Sequence, residues 1–244
     1  MTDDRLYQTD DGTAPFRFDE RVARVFPDML QRSIPGYAAS IEAIGSLAAR
    51  YVRAGTRCYD LGCSLGAATL AMRQAIREPG CRIVAVDVAP AMVERCRDIV
   101  AEDDRLCGRE TEVEVVQDDI CNIEIVNASM VVLNYTLQFV APDDRDELLA
   151  NIGRGMNEGA VLVLSEKVVD ENPSMEALLV DLHHEHKRRQ NYSALEIARK
   201  RAALENVLVP ETVATHYARL AGAGFSHAAV WLRYFNFVSI IAIR

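Results

Sequence analysis

A glycine-bounded loop, Gly62-Cys63-Ser64-Leu65-Gly66, separates an apolar run ending at Leu61 from a helical pattern that begins at Ala67. Glycine is required where a strand-to-helix turn demands positive φ or where a ligand approaches the backbone. A helix starting there offers free N–H groups to a carboxylate or similar anion. Such a loop, taken alone, serves structure as readily as binding. Asp87 closes the next apolar run, where an acid is placed to accept from ribose hydroxyls. Asp118-Asp119-Ile120 closes the third and supplies a polar partner and an apolar wall for adenine. Three strand ends aligned on one edge predict a nucleoside site. The Gly62-x-x-x-Gly66 spacing departs from G-x-G-x-x-G, because Ser64 and Ala67 stand where a pyrophosphate needs glycine. A nucleotide without phosphates fits better, so S-adenosylmethionine (SAM) is favoured over NAD.

A second chemical feature lies near the other end. In a helix predicted near 193–208, Ile197, Arg201, Leu204 and Leu208 recur at helical spacing. Arg201 therefore falls on the apolar stripe, with Arg199 and Lys200 on other sides. An inward guanidinium needs an anion, whether a protein carboxylate or a ligand's. His183 and His186 stand one helical turn apart, but no third residue completes a metal spacing, so no metal is predicted. Lys167 and Tyr37 fall near the edge of the expected cleft, where surface or packing roles serve equally well.

These residues need a scaffold, and the chain alternates accordingly. Residues 1–15 are polar and irregular and read as a mobile tail, with the folded unit beginning near Phe18. A mixed segment punctuated by Phe26-Pro27 and Ile34-Pro35-Gly36 precedes a helix carrying Ile41, Ile44, Leu47, Ala48 and Tyr51. Strands are predicted at Arg57–Leu61, Arg82–Asp87, Val113–Gln117, Ala128–Asn134 and Ala160–Ser165, with helices between them. Short, wholly apolar runs separated by helices argue for a parallel sheet covered on both faces. Two successive helices, about 174–190 and 193–208, and a third near 211–222 interrupt the rhythm. Ala228–Arg233 and Phe237–Ile243 then pair as an antiparallel hairpin. The fold predicted is a Rossmann-like α/β domain of the class I methyltransferase type: a mostly parallel seven-stranded sheet ending in that hairpin.

Composition narrows the partners. Of 244 residues half are hydrophobic, and 36 acids outnumber 27 bases for a formal charge of −9. That balance disfavours direct nucleic-acid binding and suits a small-molecule substrate. The acidic start Met1-Thr2-Asp3-Asp4-Arg5 is unlike a signal peptide, and no apolar run is long enough to span a bilayer, so a cytoplasmic location is expected. Cys58, Cys63, Cys81, Cys96, Cys107 and Cys121 show neither C-x-x-C nor zinc spacing and read as small core residues.

Several segments together resemble the carboxy-S-adenosyl-L-methionine synthase family: Phe18-Asp19-Glu20-Arg21-Val22-Ala23, Val25-Phe26-Pro27-Asp28-Met29, Pro35-Gly36-Tyr37, Tyr59 through Leu70, Ala128 through Asn134, and Leu164-Ser165-Glu166-Lys167. The resemblance runs from about Phe18 to Ile243. It implies an enzyme that converts SAM and prephenate to carboxy-SAM and phenylpyruvate. A separate tRNA carboxymethyltransferase would then use the product to make 5-oxyacetyl uridine at the wobble position. It further implies a homodimer, a helical lid at the N-terminal side and a helical insertion over about 171–208. By position, the family's ligand contacts fall on Tyr37, Gly62, Cys63, Ser64, Asp87, Val88, Asp119, Ile120, Asn134 and Arg201, with Arg201 meeting the new carboxylate. A fork of donors suits a carboxylate better than an ammonium does. Three departures stand out: Val88 replaces a polar residue, the 101–112 stretch is long and reads as a surface loop, and Asn157-Glu158-Gly159-Ala160 replaces an Asn-Pro-Gly-Gly turn. On the residues alone, a small-molecule methyltransferase or a non-catalytic SAM-binding partner remains an alternative.

Overall fold

The computed structural model describes residues 3–9, 14–108 and 110–244. Among these, seven strands make one sheet in the order β3-β2-β1-β4-β5-β7-β6. They are β1 (Arg57–Leu61), β2 (Arg82–Asp87), β3 (Glu112–Gln117), β4 (Ala128–Asn134), β5 (Met156–Lys167), β6 (His227–Tyr234) and β7 (Phe237–Ile243). The first five run parallel; β7 is antiparallel to both β5 and β6. The hairpin joins at the end of β5, so Lys167 pairs with Phe237. The helices are α1 (Leu6–Thr9), α2 (Glu20–Ser33), α3 (Tyr37–Tyr51), α4 (Ala67–Ala75), α5 (Pro90–Cys107), α6 (Arg145–Gly155), α7 (Pro173–Arg189), α8 (Ala194–Leu204) and α9 (Val213–Gly222).

The central strands are apolar on both sides because both faces are covered. Tyr59, Leu61, Leu133, Leu162 and Leu164 pack with Leu148, Leu149 and Ile152 of α6 and Leu220 of α9. Cys58, Ile83, Met130, Val132 and Val163 pack on the other face with Ile44 and Ala48 of α3 and Met72 of α4. No helix among the described residues is long and apolar enough to cross a membrane.

Several expectations need correction. The segment Phe18 to Tyr37 is mostly one helix, for α2 runs through Pro27 and is capped by Asp19, whose carboxylate accepts from Val22 N at 3.0 Å. An interior proline costs about 3 kcal/mol, and burial of Val22, Ala23, Val25, Phe26 and Met29 on one face offsets it. The described part of the predicted tail packs on the fold: Asp4, Tyr7 and Phe16 are all buried. Residues 10–13 lie outside the described residues. Most of the 101–112 stretch is not a loop but the last turns of α5, which stop at the left-handed Gly108. Asn157-Glu158-Gly159 turns inside β5, where three residues bulge out between the pairs Ala128–Met156 and Met130–Val161. Four cysteines are buried core residues, but Cys107 and Cys121 are exposed.

Candidate functional site

Parallel strands present their carboxyl ends to one edge, and here the ends of β1, β2 and β4 meet over the glycine loop. Gly62 N and Cys63 N both donate to the Val86 carbonyl, at 2.8 and 2.9 Å, which folds the loop back against β2. Gly62 has φ +82°, and a side chain there would collide with Thr136, so its glycine identity is dictated by the close approach of the post-β4 segment. α4 starts on left-handed Gly66 with no side-chain cap. Asp60, at the end of β1, accepts from the backbone N–H and hydroxyl of Thr69 in that first turn, which leaves the N–H groups of Ala67 and Ala68 for a ligand.

Asp87 binds the loop as well as any ligand. Its Oδ2 accepts from Ser64 N and its Oδ1 from Ala89 N, each at 2.9 Å. Burial raises its pKa, while these backbone donors oppose the rise. With the Val88 N–H also directed at it, the carboxylate keeps acceptor capacity for a further hydroxyl donor. Val88 beside it is 64% exposed, leaving an apolar side chain open at the mouth of the cleft. Cys63 is turned away: a hydrogen bond with Cys96, then burial, pushes its thiol pKa up. Asp119 is exposed, uses Oδ1 to accept from Cys121 N at 2.9 Å, and is also hydrogen-bonded by the Cys121 thiol. Ile120 is largely committed to the core cluster of Tyr59, Val86 and Leu133, so it offers adenine less wall than expected. The Oδ1 atom of Asn134 is buried without a hydrogen-bond partner, an acceptor waiting for a donor at the end of β4. An amino-acid end and a ribose would satisfy these groups, so the edge fits SAM.

Beyond Asn134 the cleft is walled by rings. Tyr37 lies 6.4 Å from Tyr135, Tyr135 lies 6.0 Å from Phe237, and Phe237 lies 4.8 Å from His183. Tyr135 holds φ +62° while its N–H donates to the Ser165 carbonyl at 2.8 Å. A left-handed tyrosine is a strained residue, of the kind concentrated at binding sites. Sequence reading missed Tyr135 and Phe237. The signal for Tyr135 was its place directly after a strand end; Phe237 carried none, because only the hairpin register brings it beside Lys167.

The helical pair α7 and α8 closes this side, and here the stripe prediction for Arg201 fails in detail. α8 ends at Leu204, so Leu208 is not on the helix. The buried side is instead Glu196, Ile197, Lys200 and Ala203, while Arg201 is exposed. Lys200 is the inward cation, and its Nζ donates to Ser33 Oγ at 3.0 Å and lies 3.8 Å from Asp4 Oδ2. Tyr192 OH also donates to that carboxylate, at 2.5 Å. Arg199 donates to the carbonyls of Tyr7 and Gln8. Two of the three bases are thus engaged on the N-terminal segment. Arg201 makes no hydrogen bond or ion pair with a described residue, and its charge reaches Lys167 and His184.

The histidines take separate partners. His183 donates Nε2–H to the Ser33 carbonyl at 2.9 Å, and burial holds it neutral by lowering its pKa. His186 faces the rings of Tyr234 and Phe235.

Residues 59–159 match the family described as a methyltransferase domain. A carboxy-S-adenosyl-L-methionine synthase from Trichlorobacter lovleyi is 53% identical over 229 residues, 94% of this chain and 93% of that protein. The synthase of Vibrio campbellii is 54% identical over 234 residues, 96% of this chain and 94% of that protein. Among solved structures, an O-methyltransferase family protein from Burkholderia thailandensis superposes with a TM-score of 0.65 at 17% identity, covering 93% of this chain and 60% of that one. That likeness bears on the fold alone.

Proposed function

Because the chain belongs to the carboxy-S-adenosyl-L-methionine synthase family, we propose that it converts SAM and prephenate to carboxy-SAM and phenylpyruvate. The observation that carries this beyond simple SAM binding is Arg201, an exposed cation unengaged by described residues, whose charge acts on Lys167 and His184. A methyltransferase acting on a neutral acceptor has no need of such charge; a reaction between carboxylates does.

Methyl transfer needs only a nucleophile aligned with the sulfonium methyl. Carboxylation of that methyl demands the opposite polarity, since the methyl must first lose a proton. Prephenate loses its ring carboxylate as CO2, aromatises and expels its ring hydroxyl as hydroxide. The hydroxide takes a proton from the methyl group and becomes water. The resulting ylide carbon bonds to the CO2, giving the carboxymethyl sulfonium. No side-chain nucleophile is needed. The protein's tasks are to exclude water, hold the fragments together and stabilise carboxylate charge.

Tyr37, the backbone of Gly62, Cys63 and Ser64, Asp87, Val88, Asp119, Ile120 and Asn134 would hold SAM. Arg201 would meet the transferred carboxylate, where a paired guanidinium is favoured. With this activity we infer a homodimer working in the cytoplasm, and a separate tRNA carboxymethyltransferase that consumes the product. The formal charge of −9 supports a protein that need not grip tRNA itself.

The test is to incubate the protein with SAM and prephenate and weigh the nucleotide product. A SAM heavier by one CO2 is expected; S-adenosylhomocysteine would indicate a methyltransferase, and unaltered SAM a binding protein. Arg201→Ala should abolish carboxy-SAM formation while sparing SAM binding, and undiminished turnover in that variant would remove Arg201 from the reaction.

A further inference from the structure

Two half-buried lysines have no carboxylate in ion-pair range among the described residues: Lys167 at the end of β5 and Lys187 on α7. Burying a cation without an anion is unfavourable, so the fold has a reason to be sought for each. The acids that act on them are occupied elsewhere. Glu176, the acid that acts on Lys167, accepts from Asp170 N at 2.8 Å. Asp4, which acts on Lys187, is held by Tyr192 and Lys200.

Contacts place the two lysines on one site. Lys167 pairs in register with Phe237, whose ring meets His183 at 4.8 Å. Lys187 stands one turn beyond His183 and His184 on α7. His183 and Lys200 both end on Ser33, one on its carbonyl at 2.9 Å and one on its hydroxyl at 3.0 Å. Burial, then repulsion from Lys200 and Lys167, lowers the pKa of Lys187 to about 7. Through Phe237 the cluster adjoins Tyr135, largely buried like Phe237, and then Tyr37, a run of rings suited to a flat ligand. Cations beside an aromatic wall select an anion that carries a ring.

The proposed reaction leaves one group without a partner. Its substrate has two carboxylates, of which one is transferred and meets Arg201. The other stays on the keto-acid arm and needs cations of its own. We propose that Lys167 and Lys187 hold this retained carboxylate, with the substrate's ring against Tyr37, Tyr135 and Phe237, and so select a dicarboxylate over a monocarboxylate. This assignment rests on the function proposed above.

The test compares Lys167→Met and Lys187→Met with the wild-type chain. Three quantities are read: KM for prephenate, SAM affinity by calorimetry, and thermal midpoint. Loss of a charge-assisted bond predicts a rise in KM of about tenfold or more. SAM affinity should hold. The midpoint of Lys187→Met should hold or rise, because an unpaired buried cation has been removed. A merely structural lysine gives the reverse: a lower midpoint with SAM and prephenate weakened together. Lys187→Arg should recover part of the lost affinity. Unchanged KM in both Met variants, or the structural pattern, overturns the assignment. Its failure separates from failure of the proposed reaction through prephenate binding to the protein loaded with S-adenosylhomocysteine. A wild type that binds prephenate through Lys187 but forms no carboxy-SAM refutes the reaction and keeps the anchoring pair. Normal carboxy-SAM formation with unchanged KM in both variants does the opposite.

Discussion

Replacing Gly62 by alanine tests how the loop is built. Two penalties follow from the structure. The residue sits at φ +82°, where a Cβ costs about 1–2 kcal/mol. The new methyl would also overlap Cγ2 and Oγ1 of Thr136 and stand 2.9 Å from its Cβ. Overpacking of that kind costs about 1–3 kcal/mol. Together Gly62→Ala should destabilise the protein by about 2–5 kcal/mol. The thermal midpoint should then fall on the order of 10 °C. The two penalties separate in a cycle with Thr136. Thr136→Ala removes the two overlapping atoms but leaves the Cβ, and Thr136→Gly removes all three. The interaction energy from denaturant unfolding should therefore be favourable with Thr136→Ala and larger with Thr136→Gly, while the φ penalty persists in both. SAM affinity, measured by calorimetry, should stay poor even in the rescued pairs, since the loop conformation is not restored. An additive cycle would refute the claim that Thr136 dictates this glycine.

Other outcomes follow from the same geometry. Asp87→Asn gives up an acceptor shared between Ser64 N, Ala89 N and the ligand; SAM should bind about tenfold or more weakly, and unchanged calorimetric affinity would count against a ribose role. Glu166 is fully buried, and burial pushes its pKa up to about 8 against the opposing pull of Arg145. Because this folded value lies above the unfolded one, its stabilising effect is complete below about pH 4.5 and is lost as pH rises through 8. Glu166→Gln should flatten that loss in thermal midpoints taken across the range. Lys187, at about 7, loses its charge as pH rises, so KM for prephenate should climb above neutrality. The groups facing it are His183, His184, Lys167, Lys200 and Asp4, with Arg201 beyond; of these Lys200, at about 8, titrates nearby. A step near pH 7 that survives in Lys187→Met would belong to another group.

The nucleoside half of the site was legible in the sequence because each of its residues lies at a strand end next to a pattern break. Gly62, Asp87 and Asn134 need only the strand-helix rhythm to be located. The other half was not, because its geometry depends on contacts between distant segments. Arg201 was assigned inward on a stripe ending at Leu208, and nothing local reveals that α8 stops at Leu204 or that Lys200 finds Ser33 and Asp4. The N-terminal segment looked irregular for the same reason. Its order comes from Asp4, Tyr192 and Arg32, not from its own periodicity. Pro27 likewise looks like punctuation until α2 is seen packed.

The bond between Asp4 and Tyr192 closes 188 residues of chain. The sheet edge with Asp87 is buttressed by the central core, but α8 and residues 3–9 hold each other at the periphery, through a small apolar cluster that includes Tyr7 and Ala203 and through a few polar contacts. Such a pair should open locally, well below global unfolding. Amide hydrogen exchange should then show residues 3–9 and α8 exchanging together, ahead of the strands. An anion seated among Lys167, Lys187 and Arg201 should slow exchange in that unit with little change in the sheet. The enzyme's substrate side is on this view a separately melting piece, whose order is completed by what it binds.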